Sequence, residues 1–156
     1  MKKLTFLLLL AALLCSALLL TGCSPKPAMT AETFCTTMEA AGYTVTDISA
    51  QLADVEQVTG AYVARHSSGD YQIEFYLTDT DDSASNLYGN NRLTFERTTG
   101  GVHSQSSVNG VNYNTFKMTT SGQYRVLVRV DNTLLYIAAP QEYKGEVNDV
   151  IKLLGY

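Results

Sequence analysis

The sequence predicts an α+β domain, an antiparallel meander sheet with helices on one face, in the order α-βββ-α-ββββ-α. Three observations predict it. In residues 71–78, Tyr71, Ile73, Phe75 and Leu77 alternate with Gln72, Glu74, Tyr76 and Thr78; that is a strand with one buried and one wet face, as antiparallel sheets allow. Residues 102–139 divide into four short runs at Asn109-Gly110, Ser121-Gly122 and Asp131-Asn132; Asn-Gly and Asp-Asn supply the positive φ angles of tight hairpins. After Pro140, the residues Tyr143, Val147, Val150, Ile151 and Leu154 form a continuous helical stripe closed by Gly155. Hairpin-linked strands backed by helices define the class.

The remaining elements follow in order. Thr30 is placed to cap a helix over 31–41, in which Ala31, Phe34, Cys35, Met38 and Ala41 recur at helical spacing. Met29 and Phe34 can staple its start, and Gly42 can end it. Residues 43–47 alternate as a strand. Residues 48–59 are ambiguous, with Ile48, Leu52, Val55 and Val58 suggesting a short helix. Strands at 61–66 and 71–78 are joined by Ser67-Ser68-Gly69-Asp70, a good hairpin loop. Thr80 opens the second helix, with Asp81 and Asp82 suited to the positive end of its dipole. Its inner stripe is Ala84, Leu87, Tyr88, Asn91 and Phe95, interrupted by Gly89. A link at 98–101 leads to strands at 102–108, 111–119, 123–130 and 133–139. The helix-plus-meander unit thus occurs twice, as a repeat of order rather than of sequence. Residues 71–154 alone also fit a curved sheet gripping a helix, which often encloses a ligand cavity, although fold is not function.

The amino-terminal part has a different character. Met1-Lys2-Lys3 is positive, and residues 4–20 are uncharged and dominated by Leu and Ala, the layout of a secretory signal. Seventeen residues are at the short limit for a helix crossing a bilayer. Small residues and a cysteine follow at once, where a membrane anchor would carry Lys, Arg, Trp or Tyr. Leu20-Thr21-Gly22-Cys23 resembles the lipobox of bacterial lipoproteins: Leu at −3, two small residues, then Cys at +1. The resemblance implies cleavage between Gly22 and Cys23, a diacylglyceryl thioether on Cys23, and acylation of the new amino terminus in many species. Ser24 at +2 is not the Asp associated with inner-membrane retention. The expected organisation is a signal peptide at 1–22, a lipidated Cys and stiff Pro-containing spacer at 23–29, and one domain at 30–156. That domain is similar to small lipoproteins of unknown function from Gram-positive bacteria. The expected location is the cell membrane, lipid-anchored and facing outside the cytoplasm; two or more acyl chains hold stably where one holds marginally.

Removal of residues 1–22 leaves 134 residues, enough for one domain with a core and too few for a two-lobed solute-binding protein. The remainder has 9 Lys+Arg against 15 Asp+Glu, a net charge of −6. An acidic chain without a basic cluster argues against nucleic acid as a partner. It also argues against electrostatic adhesion to anionic lipid. Of three cysteines, only Cys35 remains after processing, so no disulfide framework or thiolate metal site is expected. Cys35 falls on the apolar face of the first helix, where a thiol acts as a small hydrophobe.

The residue pattern carries no catalytic or metal-binding constellation. His66 and His103 lack partners at zinc-ligand spacing. Asp79-Thr80-Asp81-Asp82-Ser83 begins like a calcium loop but has Ala84 where Gly is needed and Asn90 where Glu is needed. There is no Gly-x-Ser-x-Gly and no phosphate-cradling glycine loop. A pairing of Cys35 with His66 or His103 is the rival enzymatic reading, and a ligand carrier with a cavity between sheet and helices is a further alternative. No cofactor is implied. Ten tyrosines and no tryptophan suit recognition of proteins or sugars, although tyrosine is also a good strand residue. Arg125 and Arg129 share one face of a strand. The expectation is therefore a non-enzymatic binding domain for a protein or small molecule, with Glu74, Tyr76, Arg125 and Arg129 as its candidate binding face.

Overall fold

The computed structural model describes residues 25–97, 101–120 and 122–156, with the backbone alone at 102 and 103. The signal, the Leu20-Thr21-Gly22-Cys23 motif, most of the 98–101 link, Ser121 of one turn and the His103 side chain lie outside the described residues.

The order is α1 (Ala31–Ala40), β1 (Thr44–Asp47), a 3₁₀ turn (Ser49–Leu52), β2 (Val58–Arg65), β3 (Gln72–Thr78), α2 (Asp81–Glu96), β4 (Val102–Asn109), β5 (Tyr113–Thr120), β6 (Gln123–Val130), β7 (Thr133–Pro140), a second 3₁₀ turn (Gln141–Tyr143) and α3 (Lys144–Leu153). This is the α+β order that the sequence predicts. The seven strands form one sheet, ordered β1-β2-β3-β7-β6-β5-β4, and every neighbouring pair is antiparallel. Two meanders therefore meet at the β3–β7 pair, where Phe75 lies opposite Leu135.

Local chemistry fixes the ends. Thr30 and Thr80 each accept a hydrogen bond on Oγ1 from the N–H three residues on, Thr33 and Ser83, at 3.1 Å. Both are N-caps, each worth about 1 kcal/mol. Gly42 at φ +87° and Gly155 at φ +83° follow α1 and α3, in the left-handed conformation that favours glycine. The β4–β5 turn uses its glycine differently from expectation. Gly110 is absent from the positive-φ residues; it is there for space, because a Cβ would lie 2.0 Å from the Tyr113 ring. In the β6–β7 turn it is Asp131 that takes the positive φ, at 47°.

The helices do not share one face. Phe34 and Met38 of α1 and Val147, Val150 and Ile151 of α3 pack with Ile73, Phe75, Val126, Val128, Leu135 and Ile137. Phe34 stacks on Phe75 with ring centroids 4.9 Å apart. Tyr88 and Phe95 of α2 pack on the opposite side, against Phe116, Met118, Leu127 and Leu134. The reason lies in the central strands, which are apolar on both faces: Leu127 and Leu134 are as deeply buried as Val126 and Leu135. A sheet apolar on both sides needs cover on both. α2 also has to carry the chain from β3 to the far edge at β4, and it crosses the second face in doing so.

Two further stretches differ from expectation. Residues 48–59 make one 3₁₀ turn rather than a helix, and β2 begins at Val58 with an irregular register at Val58/Gly60. The segment read as a spacer is docked from Lys26 onward. The Lys26 N–H donates to Asn112 Oδ1 at 2.9 Å, and Asn112 Nδ2 donates back to the Lys26 carbonyl at 2.8 Å.

Candidate functional site

α2 covers only part of the second face. Beside it, the floor made by β1, β2, β3 and β7 stays open between α2 and the Ser49–Leu52 turn. Three adjoining hollows of about 440, 390 and 390 Å³ run along it, sharing Arg65 and Gln72 at one junction and Glu74 and Tyr136 at the other. One end is apolar, with Leu52, Val55, Val58 and Leu87. The middle hollow is polar, with Arg65, Asp70 and Gln72, and the far one mixes Thr44, Thr46 and Gln51 with Ile48 and Val63. A hydrogen-bond chain crosses the floor. Arg65 Nη2 donates to Gln72 Oε1 at 3.2 Å, Gln72 Nε2 donates to Glu74 Oε1 at 2.8 Å, and the Tyr76 hydroxyl donates to Glu74 Oε2. Burial first, and then the Glu74 carboxylate, holds the Tyr76 phenol well above its usual range, so it remains a donor at neutral pH.

All four residues of the predicted binding face do lie on this one side of the sheet, but only Glu74 and Tyr76 reach the trough. Arg125 and Arg129 stand on β6, in the region α2 crosses. The Arg125 guanidinium lies 5.7 Å from the Phe95 ring centroid and donates to Thr120 Oγ1 at 3.0 Å. Arg129 donates to Asn114 Oδ1 at 2.8 Å and to the Asp131 carbonyl at 3.2 Å. The shared parity of these positions was legible in the sequence; the helix lying across β6 was not.

A second polar cluster escaped the sequence reading, at the end of the sheet where α3 begins. Glu146 Oε1 accepts from His66 Nε2 at 2.9 Å, from the Tyr71 hydroxyl at 2.6 Å and from the Tyr43 hydroxyl at 3.1 Å. The two phenol oxygens are 2.6 Å apart. His66 stacks on Tyr71 at 4.9 Å, and Tyr143 donates to Asp70. Burial pushes the Tyr43 phenol up to about 12, and burial together with Glu146 raises Tyr71 as well. On its other nitrogen, His66 Nδ1 accepts from the Ser68 N–H at 3.3 Å and lies 2.7 Å from Ser68 Oγ.

Ser68, His66 and Glu146 thus stand in the order of a nucleophile, a base and an orienting carboxylate. Acyl transfer also needs free N–H donors for the oxyanion, and three of the loop's own are engaged. The Ser68 N–H goes to His66 Nδ1, the Gly69 N–H to the His66 carbonyl, and the Asp70 N–H to Ser68 Oγ. Every group has a partner inside the cluster, which makes it a clasp between the β2–β3 hairpin and α3. No periodicity announces it, since Tyr43 and Glu146 are 103 residues apart.

Cys35 lies half-buried on α1. Its thiol is pushed up by burial, then by Glu39 and Asp47, opposite to the shift that makes a reactive thiolate. Among the described residues, no three of His, Cys, Asp and Glu gather as a metal site would require.

No protein-family model matches the sequence, and no curated protein matches it. Among solved structures, a GTP-binding regulator from Thermotoga maritima is similar at a TM-score of 0.48 and 18% identity, over 83% of this chain and 87% of that one.

Proposed function

We propose that this chain is a lipid-anchored extracytoplasmic binding domain, non-enzymatic, that presents the trough beside α2 to a protein or small-molecule partner. The observation that carries the reading is the Leu20-Thr21-Gly22-Cys23 motif behind a positive start and an uncharged leucine-rich run. The trough supports the binding half of it. The face away from α1 and α3 keeps an open floor with an apolar end and a polar middle, the mixed lining that recognition sites use. The saturated loop amides around Ser68 and the raised Cys35 thiol support a binding role over a nucleophilic one.

In-cell photocrosslinking tests it. A photoreactive side chain at position 76 should capture a reproducible partner that the same group at Asp82, exposed on α2, does not. Cys23→Ser should shift the domain out of the membrane fraction and lose the crosslink. Identical capture at 76 and 82, or membrane retention of Cys23→Ser, would overturn the reading.

A further inference from the structure

After residue 23 the chain has four lysines, Lys26, Lys117, Lys144 and Lys152. They are far apart in sequence, yet Lys26, Lys144 and Lys152 all lie close enough to Lys117 to depress its ammonium group, after burial, which is the larger cause. In a chain this acidic, such convergence calls for a reason. The place is the edge of the first face, where α3 runs past β4, β5 and β6. There a hollow of about 260 Å³ is lined by Lys117, Thr119 and Tyr124 from the sheet, Ser104 and Ser106 from β4, and Lys144 and Asn148 from α3.

The side chains lining it are cationic or neutral; none is acidic. Lys117 Nζ donates to Asn148 Oδ1 at 3.0 Å, an oxygen that also accepts from the Tyr124 hydroxyl at 2.9 Å. Lys144 Nζ donates to Thr119 Oγ1 at 3.2 Å and lies 5.2 Å from the Tyr124 ring centroid. Among the described residues, neither lysine pairs with a carboxylate. Lys152 has Asp149 at 3.0 Å, but that pair is in solvent. A partly buried ammonium normally finds a counter-charge, because desolvation without one is costly. Each ammonium has three N–H donors and the protein engages one of each. The remaining donors, with Ser104 and Ser106 in the same lining, are available to a compact acceptor.

We propose that this hollow is an oxyanion site for a phosphate group, with Lys117 and Lys144 as its charged ligands and Ser104 and Ser106 as hydrogen-bonding ones. Phosphate suits it because a tetrahedral anion accepts from several directions at once and takes point-charge lysines well. The phosphate can belong to a phospholipid headgroup or be free in solution. The headgroup source rests on the lipid-anchor reading. On that reading the lipid of Cys23 is attached three residues, at most about 11 Å, from Lys26, which is docked on Asn112 just before β5, the strand that carries Lys117. A local basic edge on an acidic chain then faces the headgroups, which net charge alone does not reveal.

Amine acetylation of the full chain in neutral detergent, read residue by residue by mass spectrometry, tests the site. Inorganic phosphate at millimolar concentration should slow modification of Lys117 and Lys144 at least tenfold relative to chloride at equal ionic strength. If short-chain phosphatidylglycerol protects them where inorganic phosphate and phosphatidylcholine do not, the site holds and the headgroup is its source. Protection by none of these overturns it. Lys117→Met should weaken protection of Lys144 at least tenfold while leaving the urea midpoint unchanged or higher; undiminished protection in that folded variant also overturns it. Failure of the anchor reading is seen separately, in the mass of the amino-terminal peptide.

Discussion

Helix α3 serves two polar clusters, and they are built on opposite principles. At Glu146 it closes the clasp, where one carboxylate oxygen gathers His66, Tyr71 and Tyr43. At Lys144 and Asn148 it walls the lysine hollow, where two ammonium groups meet only neutral oxygens. The first cluster has matched donors to acceptors within the chain, so it adds rigidity. The second keeps charge and donors in excess, so it is poised for something from outside. Saturation, rather than polarity, separates the structural cluster from the binding one.

That contrast can be broken from either side. The largest effect is expected for Glu146→Ala, which leaves three donors around a lost acceptor. Water reaches the partly exposed carboxylate, so the loss should be about 2 kcal/mol rather than the sum of three orphaned groups. Urea titration would show it as a lower midpoint at unchanged slope. Alkaline pH loosens the same clasp. An ordinary phenol titrates near 10, and Tyr43 in the fold near 12. Between those values the unfolded chain loses a proton that the fold retains, so stability falls as pH rises from 10 to about 12. Tyr43→Phe should flatten that fall in urea midpoints measured across the range. Lys117→Met is expected to act in the opposite sense. Removing a cation that burial disfavours should raise stability by a few tenths to about 1 kcal/mol, with solvent access to the group limiting the gain. The smallest effect belongs to Lys152→Gln. Its ion pair with Asp149 is exposed, and the change should stay within about 0.5 kcal/mol in the same titration.

The sequence legibly marked what is local. Thr30 and Thr80 cap, Gly42 and Gly155 close, and the alternation of 71–78 is a true strand, because caps and strand parity depend on neighbours in the chain. Helical spacing left residues 48–59 ambiguous, and there Val55 is 44% exposed and one 3₁₀ turn forms. An apolar period shows a face without showing that anything packs on it. The side taken by α2 also had a signal, Leu127 standing between Arg125 and Arg129 on a face read as open. Its weight depended on knowing that β6 is central. The clasp and the lysine hollow had no local signal. Each assembles single residues from three or more segments, and only the β3–β7 pairing and the course of α3 bring those segments together.

Whether the domain hangs from a lipid at Cys23 is tested most directly by the mass of the amino-terminal peptide released from protein extracted from membranes. A peptide that begins at Cys23 and carries a diacylglyceryl group is the expected result. A peptide that begins at Met1, or one with an unmodified Cys23, would contradict the anchor and leave the trough and the lysine hollow without their proposed setting at the membrane.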